Sequence, residues 1–468
     1  MSRLAPIQSP LVLAILPFFF SAAHASTLLD PLPEPSTTRF GQTIVTMGDL
    51  NGDGVPDLAV AAPFQDGDFD STQSSYGKPQ NVGKIFLVDG AHLSILNELN
   101  DPEFEQVQLR HFGGQIGASM APAGDLNGDG ITDLVAGVPH HIQDFDEGGP
   151  KEEESALNAG EAFVFSGSDG AVLFTLSDPT AEENGKMGAA VAGLSDIDAD
   201  GTPDVAVGVP GKDIGGEDGI ANVGLIYLFS GKTGALIRTL NHPDEGGAEA
   251  GAGLGAALAN AGDVDRDQVS DVLAGAPGEG HVFVFSGKTG HLLFDIASPV
   301  NEDLRSFGAA VAGGKDFNRD GKPDFVVGSP NWDGLRGAAY IFNGSDGSLQ
   351  RTLLPKKRQA FAKFGASVCV ADDLTGDRRA DVSVGAPGQN VNGLLQAGSV
   401  TIFDGRRGRA VQTISSATPQ RRALFGTALA AADFNDDGVS TIIAGTPNRD
   451  ASIDSVPHLE IGQIEIQP

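Results

Sequence analysis

The chain holds one cysteine, one tryptophan, three tyrosines and four methionines in 468 residues, and its 30 basic residues are outnumbered two to one by 62 acidic ones. Each shortage excludes something. A single thiol, Cys369, permits no intramolecular disulfide and no cysteine-based zinc site, and its apolar neighbours Val368 and Val370 suit a core thiol on a strand. A formal charge of −32 excludes a general nucleic-acid binder, which needs a basic footprint. Cations are the natural partners. Few aromatic residues other than phenylalanine are present to stack on sugars, and Trp332 is the one candidate platform in a loop. After residue 20 no apolar run approaches the ~20 residues of a membrane span.

The amino terminus departs from this pattern. Arg3, the apolar run from Leu11 to Phe20 and the small triplet Ala23-His24-Ala25 have the layout of a secretory signal peptide. Residues 1–25 are therefore expected to be removed on export, and 26–468 to form one domain, secreted, periplasmic or associated with the cell surface. Glycine is abundant at 64 residues, which favours tight turns over long helices, and a hydrophobic content of 40 % supplies a core and argues against disorder.

The sequence repeats itself. Seven acidic nonapeptides recur at irregular spacing, one unit with loops of variable length. Each is preceded, eight or nine residues upstream, by an apolar residue and a glycine: Phe40-Gly41, Ile116-Gly117, Met187-Gly188, Leu254-Gly255, Phe307-Gly308, Phe364-Gly365 and Phe425-Gly426. Each is followed, six residues after its ninth position, by a proline: Pro63, Pro139, Pro210, Pro277, Pro330, Pro387 and Pro447. The intervening residues alternate as strands do, and a second strand pair turns through Gly-rich hairpins such as Ser166–Gly170. Four short antiparallel strands per unit, repeated radially, predict an all-β fold, a seven-bladed β-propeller of four-stranded blades. The last unit has residues for only three strands, so an amino-terminal strand at Thr27–Leu29 is expected to complete blade seven and close the ring.

Positions 1, 3, 5 and 9 of the nonapeptide offer side-chain oxygens, and position 7 a backbone carbonyl. The candidate ligands are Asp49, Asn51, Asp53, Val55 and Asp57; Asp125, Asn127, Asp129, Ile131 and Asp133; Asp196, Asp198, Asp200, Thr202 and Asp204; Asp263, Asp265, Asp267, Val269 and Asp271. The remaining loops offer Asp316, Asn318, Asp320, Lys322 and Asp324; Asp373, Thr375, Asp377, Arg379 and Asp381; and Asp433, Asn435, Asp437 and Val439. Oxygen-only ligands with several carboxylates suit calcium ahead of magnesium or zinc. An EF-hand would carry glutamate at position 12, where this chain is apolar in all seven copies, so the loop reads as a calcium-binding β-hairpin. Up to seven sites are expected. The loops starting at Asp49, Asp125, Asp196 and Asp316 are complete. The Asp263 loop has Gln268 for glycine, the Asp373 loop has Thr375 and Arg378, and the Asp433 loop ends in Thr441. Calcium is expected to be structural, because clustered carboxylates without metal repel one another and resist folding.

The Phe-Gly start, the D-x-[ND]-x-D-G-x-x-D loop and the Gly-Ala-Pro end resemble the FG-GAP repeat of the integrin alpha-subunit head, over Phe40 to Pro447. The resemblance implies a propeller with calcium loops on one face and a ligand surface on the other. Because integrin heads carry such loops in only some blades, seven copies look more like secreted bacterial FG-GAP proteins. No stalk or membrane anchor is recognised, so integrin-like signalling is not expected.

On the face opposite the calcium loops the sequence places acidic inserts in blades one to three (Asp66, Asp68 and Asp70; Asp144, Asp146, Glu147 and Glu152 to Glu154; Asp213, Glu217 and Asp218) and the basic exits Lys356, Lys357, Arg358, Arg421 and Arg422. A protein partner is expected there, in an adhesion or scaffold role without catalysis. The alternatives are a lectin using Trp332, or a polysaccharide-active enzyme using His140, His141 and Asp144.

Overall fold

In a computed structural model the described residues are 26–28, 38–65, 81–102, 113–141, 143–144, 155–215, 219–244, 248–300, 305–449, 451–453, 456–458 and 464–467. They are almost entirely strands and turns, with one helical turn at Trp332–Leu335. Among the described residues no helix is long and apolar enough to cross a membrane.

Blade one shows the plan. Its strands Thr43–Gly48, Asp57–Ala62, Lys84–Val88 and Ile95–Leu99 lie side by side in chain order and antiparallel. The second and third are buried along their whole length, and the fourth is mostly exposed. Central strands sandwiched between neighbouring sheets need apolar residues on both faces, which explains runs such as Leu58-Ala-Val-Ala-Ala62. The blades are arranged around their first strands: Thr43–Gly48, Ser119–Gly124, Val191–Gly193, Ala257–Gly262, Ala310–Lys315 and Ser367–Ala371.

The structure corrects the expected seven-bladed plan. Among the described residues six blades, not seven, each draw their four strands from a single repeat, blade two with the small hairpin Gln143–Asp144 and Ser155–Ala156 inserted between its second and third strands. The last repeat makes no such blade: Leu429–Ala432 and Thr441–Gly445 are followed by a separate hairpin, Ala451–Ile453 with Val456–His458. Only Ile464–Gln467 then returns, between Thr441–Gly445 and Ser26–Leu28, so the remaining sheet is a composite of both chain ends. The physical reason is that only one strand, Ile464–Gln467, follows the hairpin, so the fourth place in the sheet is filled by Ser26–Leu28 from the other end of the chain.

The core lies between blades rather than within them. Met47, Ile85 and Leu87 of blade one pack with Ile116, Leu134 and Phe163 of blade two, and similar clusters join each neighbouring pair. The composite sheet packs Ala430, Ile443 and Ile464 against Phe40, Val60 and Phe86 of blade one. The recurring glycines explain why sheets approach so closely. The Gly188 amide donates to the Gly208 carbonyl within its own repeat, and a Cβ on Gly137 of the preceding blade would run into the Gly188 carbonyl oxygen. Gly445 is held likewise against the Gly41 carbonyl. Alanine at either site would have to push two sheets apart.

Candidate metal centres

Each nonapeptide joins the first strand of its sheet to the second and folds around its first aspartate. Asp49 accepts hydrogen bonds from the amides of Gly52 (2.7 Å), Asp53 (3.1 Å) and Gly54 (2.8 Å), and Asp125 repeats the pattern with Gly128, Asp129 and Gly130. These bonds hold the Asp49 carboxyl below the usual carboxylate range, the Gly54 amide most of all and against the opposing effect of desolvation. In every loop but the one starting at Asp373, position 5 accepts from the amide of position 7, as Asp53 does from Val55 at 2.8 Å and Asp200 from Thr202 at 3.0 Å. Where position 3 is asparagine its amide nitrogen donates to position 5, Asn127 to Asp129 at 3.0 Å and Asn318 to Asp320 at 3.0 Å. Where it is aspartate, at Asp198 and Asp265, that neutralising bond is impossible.

The loop keeps its shape where its sequence departs from the pattern. Position 6 is left-handed at Gly54, Gly130, Gly201, Gly321 and Gly438 and equally so at Gln268 (φ 72°) and Arg378 (φ 63°). The Gln268 amide still donates to Asp263 at 2.9 Å and the Arg378 amide to Asp373 at 2.5 Å. Without glycine that backbone costs about 1–2 kcal/mol per residue.

The ninth position has a role that sequence reasoning missed. Asp57, Asp133, Asp204, Asp271, Asp324 and Asp381 are fully buried, and each clamps two amides. Asp204 accepts from Ile197 at 2.7 Å and from Gly231 at 2.9 Å, and the others bond equivalent residues. The second amide belongs to the turn between strands three and four, so this turn lies on the same face as the loop. The signal was present as a glycine two residues after the third strand. Burial pushes all six carboxyls up, Asp204 and Asp271 to about 6. Thr441 ends the last loop without a carboxylate, and its sheet has no such consecutive hairpin.

Carboxylate oxygens converge within 4.8 Å in three nonapeptides: Asp196, Asp198 and Asp204; Asp263, Asp265 and Asp271; and Asp373, Asp377 and Asp381. A fourth group adds Asp89 and His92, from the strand three to four turn of blade one, to Asp53. The latter two were not anticipated. The fit to a hard cation is chemical: like charges crowd together at a buried carboxylate whose ionised form is disfavoured until a cation compensates it. Asn51, Asn127, Asn318 and Asn435 bring neutral oxygens to the other loops.

On the face opposite, Trp332 is half-buried and the Arg358 guanidinium covers its ring at 4.6 Å, leaving that sugar platform occupied. His141 is buried against Phe163, with centroids 6.4 Å apart, and His140 stands 3.3 Å from Asn158 Oδ1. The side chain of Asp144 and the acidic inserts other than Asp213 lie outside the described residues. Asp213 is engaged in its own loop, accepting from the Asn222 amide at 2.7 Å.

The FG-GAP repeat family matches residues 41–86, 117–150, 307–342 and 364–403, together about a third of the chain. Integrin alpha-2 of Mus musculus is 35 % identical over 201 residues, 39 % of this chain and 16 % of that protein. Integrin alpha-4 of Xenopus laevis is 31 % identical over 208 residues, 41 % of this chain and 20 % of that protein. Phosphatidylinositol-glycan-specific phospholipase D of Bos taurus is 24 % identical over 385 residues, 72 % of this chain and 43 % of that protein. The chain thus spans less than half the length of these curated relatives. In the matched stretches the chain is similar to FG-GAP repeats and to integrin alpha chains, and its fold is a β-propeller of four-stranded antiparallel blades.

Proposed function

We propose that this chain is an exported, calcium-loaded propeller that binds a protein partner through the face opposite its acidic loops, in an adhesion or scaffold role and without catalysis. In this reading residues 1–25 are a signal peptide, 26–468 form the working domain, and calcium is structural. The observation that carries the calcium reading is the ninth aspartate, which is buried, bonded to two amides and crowded by the carboxylates of its own loop. A bound cation there would tie the loop to the strand three to four turn and so brace each blade.

The protein-binding reading is supported by the similarity to integrin alpha chains and by exposed charge on rigid blade ends. The test combines calcium titration by calorimetry with partner capture from surface extracts. A stoichiometry that falls by one calcium site in Asp204→Asn, and capture lost when Lys356, Lys357 and Arg358 are reversed to glutamate, are the expected results. A chain with the same melting temperature in millimolar calcium and in chelator would remove the calcium reading. Capture indifferent to charge reversal would remove the reading of the face.

A further inference from the structure

One residue in the middle of the third strand occupies the same place in every blade, opposite position 12 of the repeat. It is Phe86 opposite Val60, Phe163 opposite Ala136, Tyr227 opposite Val207, Phe283 opposite Ala274 and Tyr340 opposite Val327. In blade six it is Thr401, opposite Val384. Five aromatic rings and one threonine therefore share one structural position in the six blades, and the composite sheet places Glu465 there, opposite Ala444.

The ring plugs a notch between blades on the face opposite the acidic loops. Tyr227 donates to Asp178 at the end of blade two, at 2.8 Å, and Asp178 pairs with Lys212 at 2.9 Å. One notch further, Phe283 packs against His242 with centroids 5.1 Å apart, and His242 meets Glu279 at 2.8 Å. In both notches a residue two places beyond the fourth strand's final leucine meets one two places beyond the repeat's proline. Between blades five and six these two places hold Pro355 and Gln389, which cannot pair as ions.

The result is a cleft of about 370 Å³ lined by Pro355, Lys356, Lys357, Gln389, Thr401 and Thr413, among others. Thr401 is buried and shares a hydrogen bond with the Thr413 hydroxyl at 3.2 Å. Lys356 and Lys357 are exposed and make no ion pair among the described residues. The acid in blade five's own loop, Asp333, is taken by Arg336 (3.2 Å) and Arg358 (2.7 Å). On a protein of charge −32, two uncompensated ammonium groups beside a cleft reverse the local sign.

We propose that this notch binds the acidic side chain of a peptide segment, its carboxylate meeting Lys356 and Lys357 and its aliphatic stem entering the space that an aromatic ring fills in the other blades. The inference rests on the reading of this face as the recognising one and names the chemistry recognised. Charge-assisted bonds supply the affinity, and the missing ring supplies the room.

The test uses the whole exported chain and two blocked peptides, one centred on two glutamates and its counterpart with two glutamines, titrated by ligand-observed NMR with glucuronate as a third probe. The glutamate peptide is expected to bind at least about tenfold more tightly than the glutamine peptide. Lys356→Gln with Lys357→Gln, both exposed, should remove that preference. Thr401→Tyr, which restores the residue of blades three and five, should abolish binding; if it misfolds, the lysine pair carries the test. Equal binding of both peptides, no binding at millimolar concentration, glucuronate binding without the glutamate peptide, or indifference to the lysine substitutions would overturn the proposal. Partner capture that persists while the peptides fail would remove this cleft alone, and peptide binding without capture would remove only the wider reading.

Discussion

In the third repeat, Lys212 and Tyr227 lock onto Asp178 of blade two, and four aspartates line a loop that turns on Gly201. In the sixth, Pro355, Gln389 and Thr401 leave the equivalent notch open, and the loop holds Thr375 and a left-handed Arg378. Two copies of one unit thus carry the same strands and the same ninth-position clamp but opposite fittings at both ends. The repeat fixes the scaffold through contacts that every copy makes, and its ends are free to vary because each notch has its own pair of walls.

The largest expected contrast lies in the notch. Lys212→Met strands the buried Asp178 carboxylate and should cost about 3–5 kcal/mol in urea unfolding. Gln389→Met at the matching place breaks no ion pair and should cost under about 1 kcal/mol; equal losses would break the comparison. Next comes the clamp. Asp204→Ala leaves the Ile197 and Gly231 amides without their acceptor and should cost about 2–4 kcal/mol even in chelator, and Asp381→Ala the same, because both repeats share it.

Calcium should separate the repeats more finely. At the affinities of extracellular calcium modules, millimolar calcium adds about 0.4–1.4 kcal/mol per occupied loop. Asp198→Asn should therefore reduce the calcium-induced rise in melting temperature more than Thr375→Val does. Arg378→Gly relieves a left-handed side chain and should stabilise the sixth repeat by about 1 kcal/mol in the same assay. The smallest effect is one of pH. Burial pulls the His242 imidazole down, but Glu279 outweighs it and the net position is above the ordinary value. The stability from this pair is therefore complete below the unfolded value near ~6.5 and is lost as pH rises through the raised folded value. Unfolding free energies measured across that range should fall with pH, and Glu279→Gln should flatten the slope.

Much of this was legible along the chain. Short apolar runs, hairpin glycines and an almost constant interval from the apolar-Gly pair to the proline mark the blades, since each is a local requirement of a twisted, closely packed sheet. The nonapeptide announces its oxygens because a turn of Asp, Asn and Gly gathers the amides of its own first seven residues around its first and fifth side chains. What escaped reading depends on partners distant in sequence. Asp57 looks like one more ligand until the Gly90 amide arrives 33 residues later. Asp89 and His92 join Asp53 only through the turn of another strand pair. The plan of seven blades fails at the last repeat, whose sheet takes its fourth strand, Ser26–Leu28, from the other end of the chain.

The repeating unit, its strand content and the acidic chemistry of its loops can be read along the chain, because they follow from near-neighbour geometry. Which carboxylates crowd together and which notch stays open emerge only when residues distant in sequence are brought side by side. A threonine among five aromatic rings is unremarkable in a list of residues; it becomes a cleft when two blades stand on either side of it and neither offers a side chain to fill the space.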